Sequence, residues 1–409
     1  MEVGALSGVT FPPLMWIPYM SEVLIVGGGI GGLTAALCLA EQGHTVQVFE
    51  QAPAIAEAGA GIQLSPNATC VLFHLGLQTQ LTAVAFFPRH TEIRDWRSGR
   101  LISSNVLGET VREQYGFPYL HIHRGDLIGV LEQAVRRESR ITLHVGKRVD
   151  AARQDANAVT MDAEDKSFDA DILIGADGIR SVVREALFGP ASATFTGNVA
   201  WRMLIPVGDL PANLVPPVAG VWWGPGRHFV HYFVRRGELV NCVCVVEQDG
   251  WTVESWTEPG KPEELGDAFA GWHPTIQTLI GAARPDSLFK WGLFDRPPMP
   301  EWSRGRMTLL GDACHPTLPF MAQGAAMAIE DAAVLAACVA RGIDVPTALD
   351  RYAQLRRART ARIQLGSRRN ATIFHLSGVK AWLRDRAAGS AAKGQLDGIF
   401  RYNALRAHE

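Results

Sequence analysis

A glycine fingerprint that directly follows an apolar run constrains this chain more than any other feature. Residues 23–26 read Val-Leu-Ile-Val, a pattern typical of a buried strand. Three glycines then form a Gly-x-Gly-x-x-Gly turn: Gly27, Gly29 and Gly32. Helix-compatible residues 33–41 follow, and a second apolar run, residues 45–49, ends at Glu50. The pattern predicts a strand, turn, helix and strand with an acid at the end.

Each part of this unit has a physical reason that points to a dinucleotide. The first glycine permits a tight turn, the second lets the backbone approach a pyrophosphate, and the third lets helix and strand pack closely. The helix N-terminus presents N–H groups and a partial positive charge to the phosphates. Glu50 stands where it can accept hydrogen bonds from a ribose diol. The segment therefore predicts dinucleotide binding.

Two later segments repeat the theme of a strand that ends in a glycine-containing turn. Residues 170–174, which are apolar except for Asp171, lead into Gly-Ala-Asp-Gly around Asp177, which taken alone is one more strand-to-helix turn. The apolar residues 307–310 lead into Gly-Asp at Asp312, and a helix is predicted to begin near Gly324. An aspartate at a strand tip beside a helix N-terminus suits polyols and negative charge. These segments predict two further ligand-binding loops.

Composition limits the class of protein. A chain of 409 residues is long enough for about two domains, and its hydrophobic share of 47% can bury a substantial core. The net charge of −2 argues against a nucleic-acid binder. From Arg341 onward there are 14 Lys or Arg against 5 Asp or Glu. Solvated helix faces explain such an excess, and contact with a partner subunit or an acidic surface is the alternative, so we expect a homodimer.

The cysteines and the N-terminal residues bear on the cellular compartment. Six cysteines lack any Cys-x-x-Cys spacing, which predicts no metal site and a reducing compartment, most simply the cytoplasm. Cys242 and Cys244 lie two apart in a strand-like run and are expected in the core. Residues 1–19 carry one charge and three prolines, so we expect an extension without a signal peptide. We predict no membrane helix.

The middle of the chain has a different pattern. Three strand-like runs, residues 218–223, 228–234 and 239–246, are interleaved with tryptophan, phenylalanine and tyrosine. They predict a mostly antiparallel sheet with one face packed and the other lining a pocket. In the second run His228 and Tyr232 share one face, and His231 points to the other.

The fingerprint turn, the Asp177 segment and the Asp312 segment, in this order, resemble the single-component FAD-dependent aromatic hydroxylases. The likeness covers nearly all of residues 22–345. It implies an α/β fold with a Rossmann-like FAD-binding domain, an inserted, mainly antiparallel β-sheet substrate domain and C-terminal helices. The implied segments are an N-terminal extension (1–19), FAD-binding parts (20–75, 106–190 and 296–345), substrate-domain parts (76–105 and 191–295) and a C-terminal helical segment (346–409).

The resemblance also implies roles for single residues. Besides the three fingerprint glycines, six positions are expected to bind FAD: Glu50, Arg124, Asp177, Asp312, Gly324 and Ala325. Arg124 matches an arginine near the ribityl chain and phosphates, and Asp312 matches the acid that bonds the ribityl hydroxyls. Asp177 belongs to a motif implicated in binding both FAD and the nicotinamide cofactor.

The implied reaction is hydroxylation of a small phenolic acid. Tightly bound FAD is reduced by a transient NADH or NADPH, reacts with dioxygen to a C4a-hydroperoxide, and delivers one oxygen to the ring. Two other classes stay open on the sequence: an FAD-dependent oxidoreductase without oxygen insertion, and a non-catalytic FAD-binding interaction protein.

Three residues are candidates for proton chemistry. His228 and Tyr232 match a histidine and a tyrosine, four apart, that line the pocket of hydroxybenzoate and hydroxynicotinate hydroxylases. A histidine near neutral pKa is a suitable base, and a tyrosine hydroxyl can orient a phenol; a hydrogen-bonded structural pair is the alternative. His315, which follows Asp312, is either catalytic or a residue that orders the loop.

The remaining positions concern the substrate. Parts of the chain are similar to the 6-hydroxynicotinate 3-monooxygenases, but Gln63 and Phe320 stand where that branch carries histidines. The pocket is therefore expected to be less basic, which ranks a hydroxybenzoate such as salicylate or 3-hydroxybenzoate first and decarboxylating hydroxylation of 6-hydroxynicotinate second. Arg202 can pair with a substrate carboxylate as a fork, or serve as a surface or structural arginine. Trp291 is expected to be packing.

Overall fold

The computed structural model describes residues 20–55, 60–251 and 258–407, apart from the side chains of residues 389–395, so the predicted extension at 1–19 lies outside it. The strands are β1 (Glu22–Val26), β2 (Thr45–Glu50), β3 (Gly61–Leu64), β4 (His90–Asp95), β5 (Leu101–Val106), β6 (Leu120–His123), β7 (Ile141–Val145), β8 (Val149–Gln154), β9 (Val159–Ala163), β10 (Lys166–Ala170), β11 (Ile172–Gly175), β12 (Thr194–Pro206), β13 (Ala219–Gly224), β14 (Arg227–Val234), β15 (Leu239–Glu247), β16 (Glu258–Pro259), β17 (Phe289–Asp295), β18 (Ser303–Arg304) and β19 (Met307–Leu309). The α-helices are α1 (Ile30–Glu41), α2 (Pro66–His74), α3 (Gln78–Val84), α4 (Gly108–Tyr115), α5 (Arg124–Arg137), α6 (Val182–Phe188), α7 (Pro262–Ala268), α8 (Pro274–Gly281), α9 (Gly324–Val339), α10 (Val345–Phe374) and α11 (Gly378–Phe400).

A parallel sheet forms the centre of the first domain, in the order β18-β19-β11-β1-β2-β7 with only β18 antiparallel. In β1 all residues after Glu22 are buried, as expected of a strand covered on both faces. Since β1, β2, β11 and β19 run in the same direction, their carboxyl ends bring the three sequence motifs to one edge. The predicted Rossmann-like arrangement is confirmed.

Helix α1 lies between this sheet and α9. Its burial is nearly complete: only Gly31, Leu37 and Glu41 fall outside the buried set. At Gly31 an added Cβ would stand 2.6 Å from the Leu310 side chain and 3.2 Å from that of Ala328 on α9. A glycine is therefore needed where α1, α9 and the end of β19 meet.

A second sheet has eight strands in the order β16-β17-β12-β15-β14-β13-β4-β5. Every neighbouring pair in it is antiparallel except β13 and β4. One face packs on α7 and α8 through an aromatic cluster that includes Trp222, Phe229 and Trp272. Cys242 and Cys244 are fully buried in the same cluster. The predicted antiparallel sheet, with one packed face, is confirmed.

The C-terminal helices hold the largest difference from the expectation of a solvated basic tail. Arg356 is fully buried against α9, where its Nε donates to Asp331 at 2.7 Å and a second guanidinium nitrogen lies 2.6 Å from Glu330. Arg359 also pairs with Glu330, at 2.7 Å. A buried carboxylate without a cationic partner lowers the stability of the fold. These two arginines therefore compensate the buried charges of Glu330 and Asp331. Sequence spacing alone did not separate them from the exposed basic residues.

The described part of the chain contains no helix that is long and apolar enough to cross a membrane. All six cysteines are free and buried. The predicted homodimer stays a prediction.

The buried ion pairs yield a stability prediction. Replacing Arg356 by Gln removes the guanidinium that Glu330 and Asp331 share, which leaves Glu330 with Arg359 and Asp331 with His315, and we expect the free energy of unfolding to fall by about 3–5 kcal/mol. Arg362→Gln is the matched control, because Arg362 lies on the same helix and is exposed; its effect is expected within about 0.5 kcal/mol. Urea unfolding followed by tryptophan fluorescence measures both, and equal losses would contradict the buried network.

Candidate active site

A cavity of about 1460 Å³ lies between the carboxyl edge of the parallel sheet, the open face of the eight-stranded sheet, and α10 with α11. Ligand pockets commonly enclose about 300–1,000 Å³. The cavity therefore has room for a dinucleotide together with a small second ligand.

The three fingerprint glycines have different roles at one end of the cavity. Gly27 has φ +106°, and a Cβ there would stand 2.4 Å from the carbonyl oxygen of Ala176. At Gly32 a Cβ would stand 2.0 Å from the carbonyl oxygen of Gly27. Gly29 lines the cavity, and a Cβ there would meet nothing within 4 Å. The first and third glycines permit close packing, and the second keeps a cradle open to a ligand.

Glu50 is fixed at the end of β2. Its two carboxylate oxygens accept hydrogen bonds from the backbone N–H of Gly28 and of Ala52, both at 2.8 Å. Gly28 belongs to the fingerprint turn, so Glu50 joins the ends of β1 and β2. The carboxylate lines the cavity and is held in place before a ligand arrives.

Two aspartates and an arginine carry charge into the cavity. Asp312 is accessible from the cavity, yet the surrounding protein raises the pKa of its carboxyl, an effect that His315 and Arg124 partly offset. Burial lowers the pKa of Arg124, and Asp312 opposes that shift. Burial also raises the pKa of Asp177. Its Oδ2 accepts from the N–H of Val182 at 2.7 Å, whereas its buried Oδ1 has no partner among the described residues.

The N-terminus of α9 points its first backbone groups at this cavity, which Gly324 and Ala325 line. The loop before it is held by side-chain amides. Asn67 donates to Gln323 at 3.0 Å and to Glu330 at 2.6 Å, and Gln323 donates to Ser65 at 3.0 Å. The helix end that favours negative charge is thus rigidly placed.

These observations fit FAD. The open cradle at Gly29 suits a pyrophosphate, and the partnerless Oδ1 of Asp177 and the accessible carboxylate of Asp312 are acceptors suited to hydroxyls. Each predicted cofactor residue lines the cavity except Gly32, which packs behind the turn. Their roles toward the cofactor stay predictions.

The other half of the cavity is the open face of the eight-stranded sheet. His228, Val230 and Tyr232 line it, as their period-two spacing predicts. His231 lies on the opposite face, where its Nε2 accepts from the indole N–H of Trp222 at 3.0 Å. The predicted alternation along β14 is confirmed.

Strand register places Arg202 on the same face. Arg202 of β12 and Val230 of β14 both pair with Val243 of the intervening strand β15. Two strand spacings separate their backbones by about 10 Å. Arg202 therefore lies on the cavity-facing side of this sheet, two strands away from the row that carries His228 and Tyr232.

Arg202 is a buried cation without an acid. Its guanidinium lies 5.6 Å from the ring centre of Phe289 and 5.5 Å from that of Trp291. No carboxylate among the described residues pairs with it, and its Nε has no hydrogen-bond partner there. Burial and the nearby Arg124 lower the pKa of Arg202 to about 10, which keeps it charged at neutral pH. Trp291, expected as packing, lines the cavity.

The two positions that depart from the hydroxynicotinate branch also line the cavity. Gln63 accepts from the hydroxyl of Tyr119 at 2.7 Å. Phe320 stands edge-on to His228 with ring centres 5.0 Å apart. Neither adds a charge to the cavity, and Phe320 is an apolar neighbour of His228.

His315 is not among the residues that line the cavity. It is buried, its Nε2 lies 2.5 Å from Asp331 Oδ2, and its backbone N–H donates to Gly311 at 2.9 Å. Cys314, His315 and Asp331 have ligand atoms within 4.8 Å of one another. Arg356 holds the other oxygen of Asp331, and this adjacent cation disfavours a metal. These contacts support the loop-ordering role for His315.

Sequence reasoning missed two residues beyond His228. His228 Nδ1 lies 2.8 Å from Nε2 of His375, whose Nδ1 lies 2.8 Å from Oε1 of Glu247. His375 follows α10, 147 residues after His228. No spacing in the sequence signals such a contact.

Comparison with known proteins agrees with this geometry. A family model described as FAD binding domain matches residues 20–366. The chain is 40% identical to 6-hydroxynicotinate 3-monooxygenase of Pseudomonas fluorescens over 322 residues (78% of this chain, 82% of the relative). It is 40% identical to 3-hydroxybenzoate 6-hydroxylase of Polaromonas naphthalenivorans (strain CJ2) over 368 residues (89% and 90%). The crystal structure of Klebsiella pneumoniae HpxO complexed with FAD and uric acid superposes with a TM-score of 0.83 at 28% identity, covering 96% of this chain and 99% of that one. The chain belongs to the single-component FAD-dependent aromatic hydroxylases.

The glycines yield a matched pair of variants. Gly29→Ala adds a methyl group in open space, so we expect an intact fold and FAD affinity reduced by roughly tenfold or more. Gly32→Ala forces a clash with the carbonyl of Gly27 and should destabilise the protein even without cofactor. Thermal unfolding of the flavin-free protein and FAD titration separate the two effects. Equal loss of stability in both variants would contradict this division.

Proposed function

We propose that this protein is an FAD-dependent, NAD(P)H-consuming monooxygenase that hydroxylates a small phenolic aromatic acid, specifically a hydroxybenzoate such as 3-hydroxybenzoate or salicylate. The observation that carries the proposal is the set of side chains on the cavity-facing side of the eight-stranded sheet. Arg202, a buried cation without an acid, shares one sheet face with the uncharged pair His228 and Tyr232. A ring with a carboxylate at one end and a phenol at the other is complementary to this face.

Bound FAD supplies the redox chemistry with NAD(P)H and dioxygen. The residues proposed to hold it are Gly27, Gly29, Gly32, Glu50, Arg124, Asp177, Asp312, Gly324 and Ala325. Their fixed backbone and side-chain groups would hold and orient the cofactor in the cavity. Phe320 and Trp291 limit the access of water to the reacting ring.

His228 and Tyr232 divide the proton chemistry. Burial and the neighbouring His375 hold the pKa of His228 well below the near-neutral value expected from the sequence. The imidazole is therefore neutral, with a lone pair for a phenolic proton, but it is a weaker base than an ordinary histidine and has to pass the proton on. Burial raises the pKa of Tyr232, so its hydroxyl remains protonated and donates a hydrogen bond. Removing the phenolic proton enriches the ring in electrons at the carbons that accept oxygen.

A specific observation supports a second candidate substrate, 6-hydroxynicotinate. The relative from Pseudomonas fluorescens is named for that compound, and it is as similar to the chain as the 3-hydroxybenzoate enzyme is. Uncharged Gln63 and Phe320 favour the hydroxybenzoate. The buried, unpaired state of all six cysteines suits the cytoplasm, which we propose as the compartment.

The proposed function is tested with the flavin-loaded protein and a panel of 3-hydroxybenzoate, salicylate, 6-hydroxynicotinate and phenol. NADH or NADPH oxidation and the hydroxylated product, identified by mass spectrometry, are measured together. We expect a hydroxybenzoate to give the highest kcat/KM with product matching the reductant consumed. Reductant oxidation that no ring acid accelerates, with no product, would identify an oxidoreductase without oxygen insertion.

Arg202→Met tests carboxylate recognition. We expect KM for a hydroxybenzoate to rise roughly 10- to 100-fold, because a hydrogen bond to a charged group contributes about 1.5–3 kcal/mol. Phenol lacks the carboxylate, so its KM should change by less than about threefold. If KM rises equally for both compounds, Arg202 contributes to packing and does not recognise the carboxylate.

The lowered pKa of His228 predicts how activity declines at acidic pH. Because its pKa lies below 6.5 in the folded protein, the base stays neutral above pH 6.5 and is lost only as pH falls through the lowered value. We expect kcat/KM to be level from alkaline pH down to 6.5 and then to decline. His228→Asn should slow hydroxylation by roughly 100-fold, remove that decline and leave FAD bound. A midpoint above pH 6.5, or an unchanged profile in the variant, would remove His228 from the mechanism.

A further inference from the structure

Three titratable side chains form an unbroken line from the cavity to the protein surface. His228 lines the cavity and is 2% exposed, His375 is 7% exposed, and the Glu247 side chain is 56% exposed. The two hydrogen bonds that connect them both measure 2.8 Å. A buried histidine pair that ends at an exposed carboxylate connects the cavity with solvent.

The backbone holds this line in place at one residue. The N–H of Gly226 donates to the carbonyl of His375 at 3.1 Å, and the N–H of Glu247 donates to the carbonyl of Gly226 at 2.9 Å. His228 lies two residues further along β14, and its partner across the ladder, Val245, precedes Glu247 by two. All three members are thereby anchored to the same turn, although one of them comes from the end of α10.

We propose that His375 and Glu247 conduct the phenolic proton from His228 to solvent, an inference that rests on the proposed function. The carboxylate of Glu247 can only accept, so Nδ1 of His375 carries hydrogen and Nε2 carries a lone pair. Nδ1 of His228 must then donate to that lone pair. The remaining nitrogen of His228, Nε2, is left with its lone pair for the substrate.

The transfer balances as four proton transfers. The substrate O–H bond breaks as a proton binds Nε2 of His228, and the proton on Nδ1 of His228 passes to Nε2 of His375. The proton on Nδ1 of His375 then passes to Glu247 and on to water. One proton leaves the cavity, the phenolate remains, and both imidazoles end neutral in the opposite tautomer. The reverse path resets the tautomers when the product takes up a proton.

The surroundings of His228 and His375 favour rapid transfer of a proton over its retention on either histidine. Burial lowers the pKa of His375, Glu247 raises it, and Arg227 on β14 with Arg384 on α11 lower it again. The pKa of His228 is lowered by burial and by His375. Neither histidine is therefore a stable resting place for the proton. Phe320 and Phe374 pack edge-on against His228 and restrict other routes.

The test measures proton release without turnover. Flavin-loaded protein is mixed with 3-hydroxybenzoate in weakly buffered solution without NAD(P)H, and a pH-indicator dye reports the proton in a stopped-flow instrument. We expect wild type to release a proton rapidly on binding. In His375→Gln the amide keeps hydrogen bonds but cannot pass a proton, so release should slow by roughly tenfold or more. Substrate affinity, from the change in flavin absorbance, should stay within about threefold.

Glu247→Gln provides a second variant at the exposed end, where folding is least at risk. Release should slow in it as well, and added imidazole buffer should restore the rate, because this end of the line is open to solvent. His74→Gln is the control, since His74 is half-exposed and pairs with Glu41 away from the cavity; wild-type release is expected.

The outcomes separate the two proposals. Hydroxylation by wild type together with unchanged proton release in His375→Gln and Glu247→Gln would overturn the proton path and leave the proposed function standing. Slower release without rescue of Glu247→Gln by imidazole would also count against the path, since it would indicate a structural role for that residue. A wild-type protein that binds no ring acid would overturn both.

Discussion

The structure depends on how closely backbones approach at the carboxyl edge of the parallel sheet. The fingerprint turn fits only because Gly27 and Gly32 lack side chains, and Ala176 at the end of β11 stands against the first of them. A side chain at Gly27 would collide with the backbone after β11, and one at Gly32 would push α1 away from the turn that follows β1. With α1 displaced, α9 would lose the surface on which it packs, and the cavity would lose one wall. These close backbone contacts thus help to set the position of α1 and of the fingerprint turn that lines the cavity.

Helix α9 connects this edge of the sheet to the C-terminal helices and to the turn after β19. Its N-terminus faces the cavity, while the buried carboxylates of Glu330 and Asp331 bind arginines of α10. Asp331 also holds His315 and, through the N–H of Gly311 at 3.2 Å, the turn after β19. Although burial raises it, the pKa of Asp331 is held below its usual value by His315 and Arg356. One carboxylate therefore positions the loop that presents Asp312.

Sequence predicts those features that repeat over short spacings. The fingerprint glycines, Glu50 and the alternation of His228 with His231 follow from local rules, because a turn and a strand face are set by neighbours in the chain. Whether Arg202 joins the face of His228 depends on the register of β12, β15 and β14, which single-strand patterns do not contain.

Contacts over long separations could not be predicted. His375 meets His228 only because α10 is 30 residues long and ends beside β14. Arg356 looks like its exposed neighbours until α9 is placed against it. The line from His228 to Glu247 and the buried network on α9 therefore needed the three-dimensional arrangement.

Charge balance in the cavity accounts for the class of ligand that it favours. Arg202 is buried without an acid, and the proximity of Arg124 adds to the lowering of its pKa. An anionic ligand removes part of that unfavourable field, whereas a neutral phenol does not. Burial and His375 disfavour a protonated His228, so its imidazole is neutral while Arg202 carries the positive charge of this sheet face. Under the proposed function, a substrate carboxylate would neutralise Arg202, and a proton that left through His375 would leave the phenolate as the one charge that ionisation adds to the cavity.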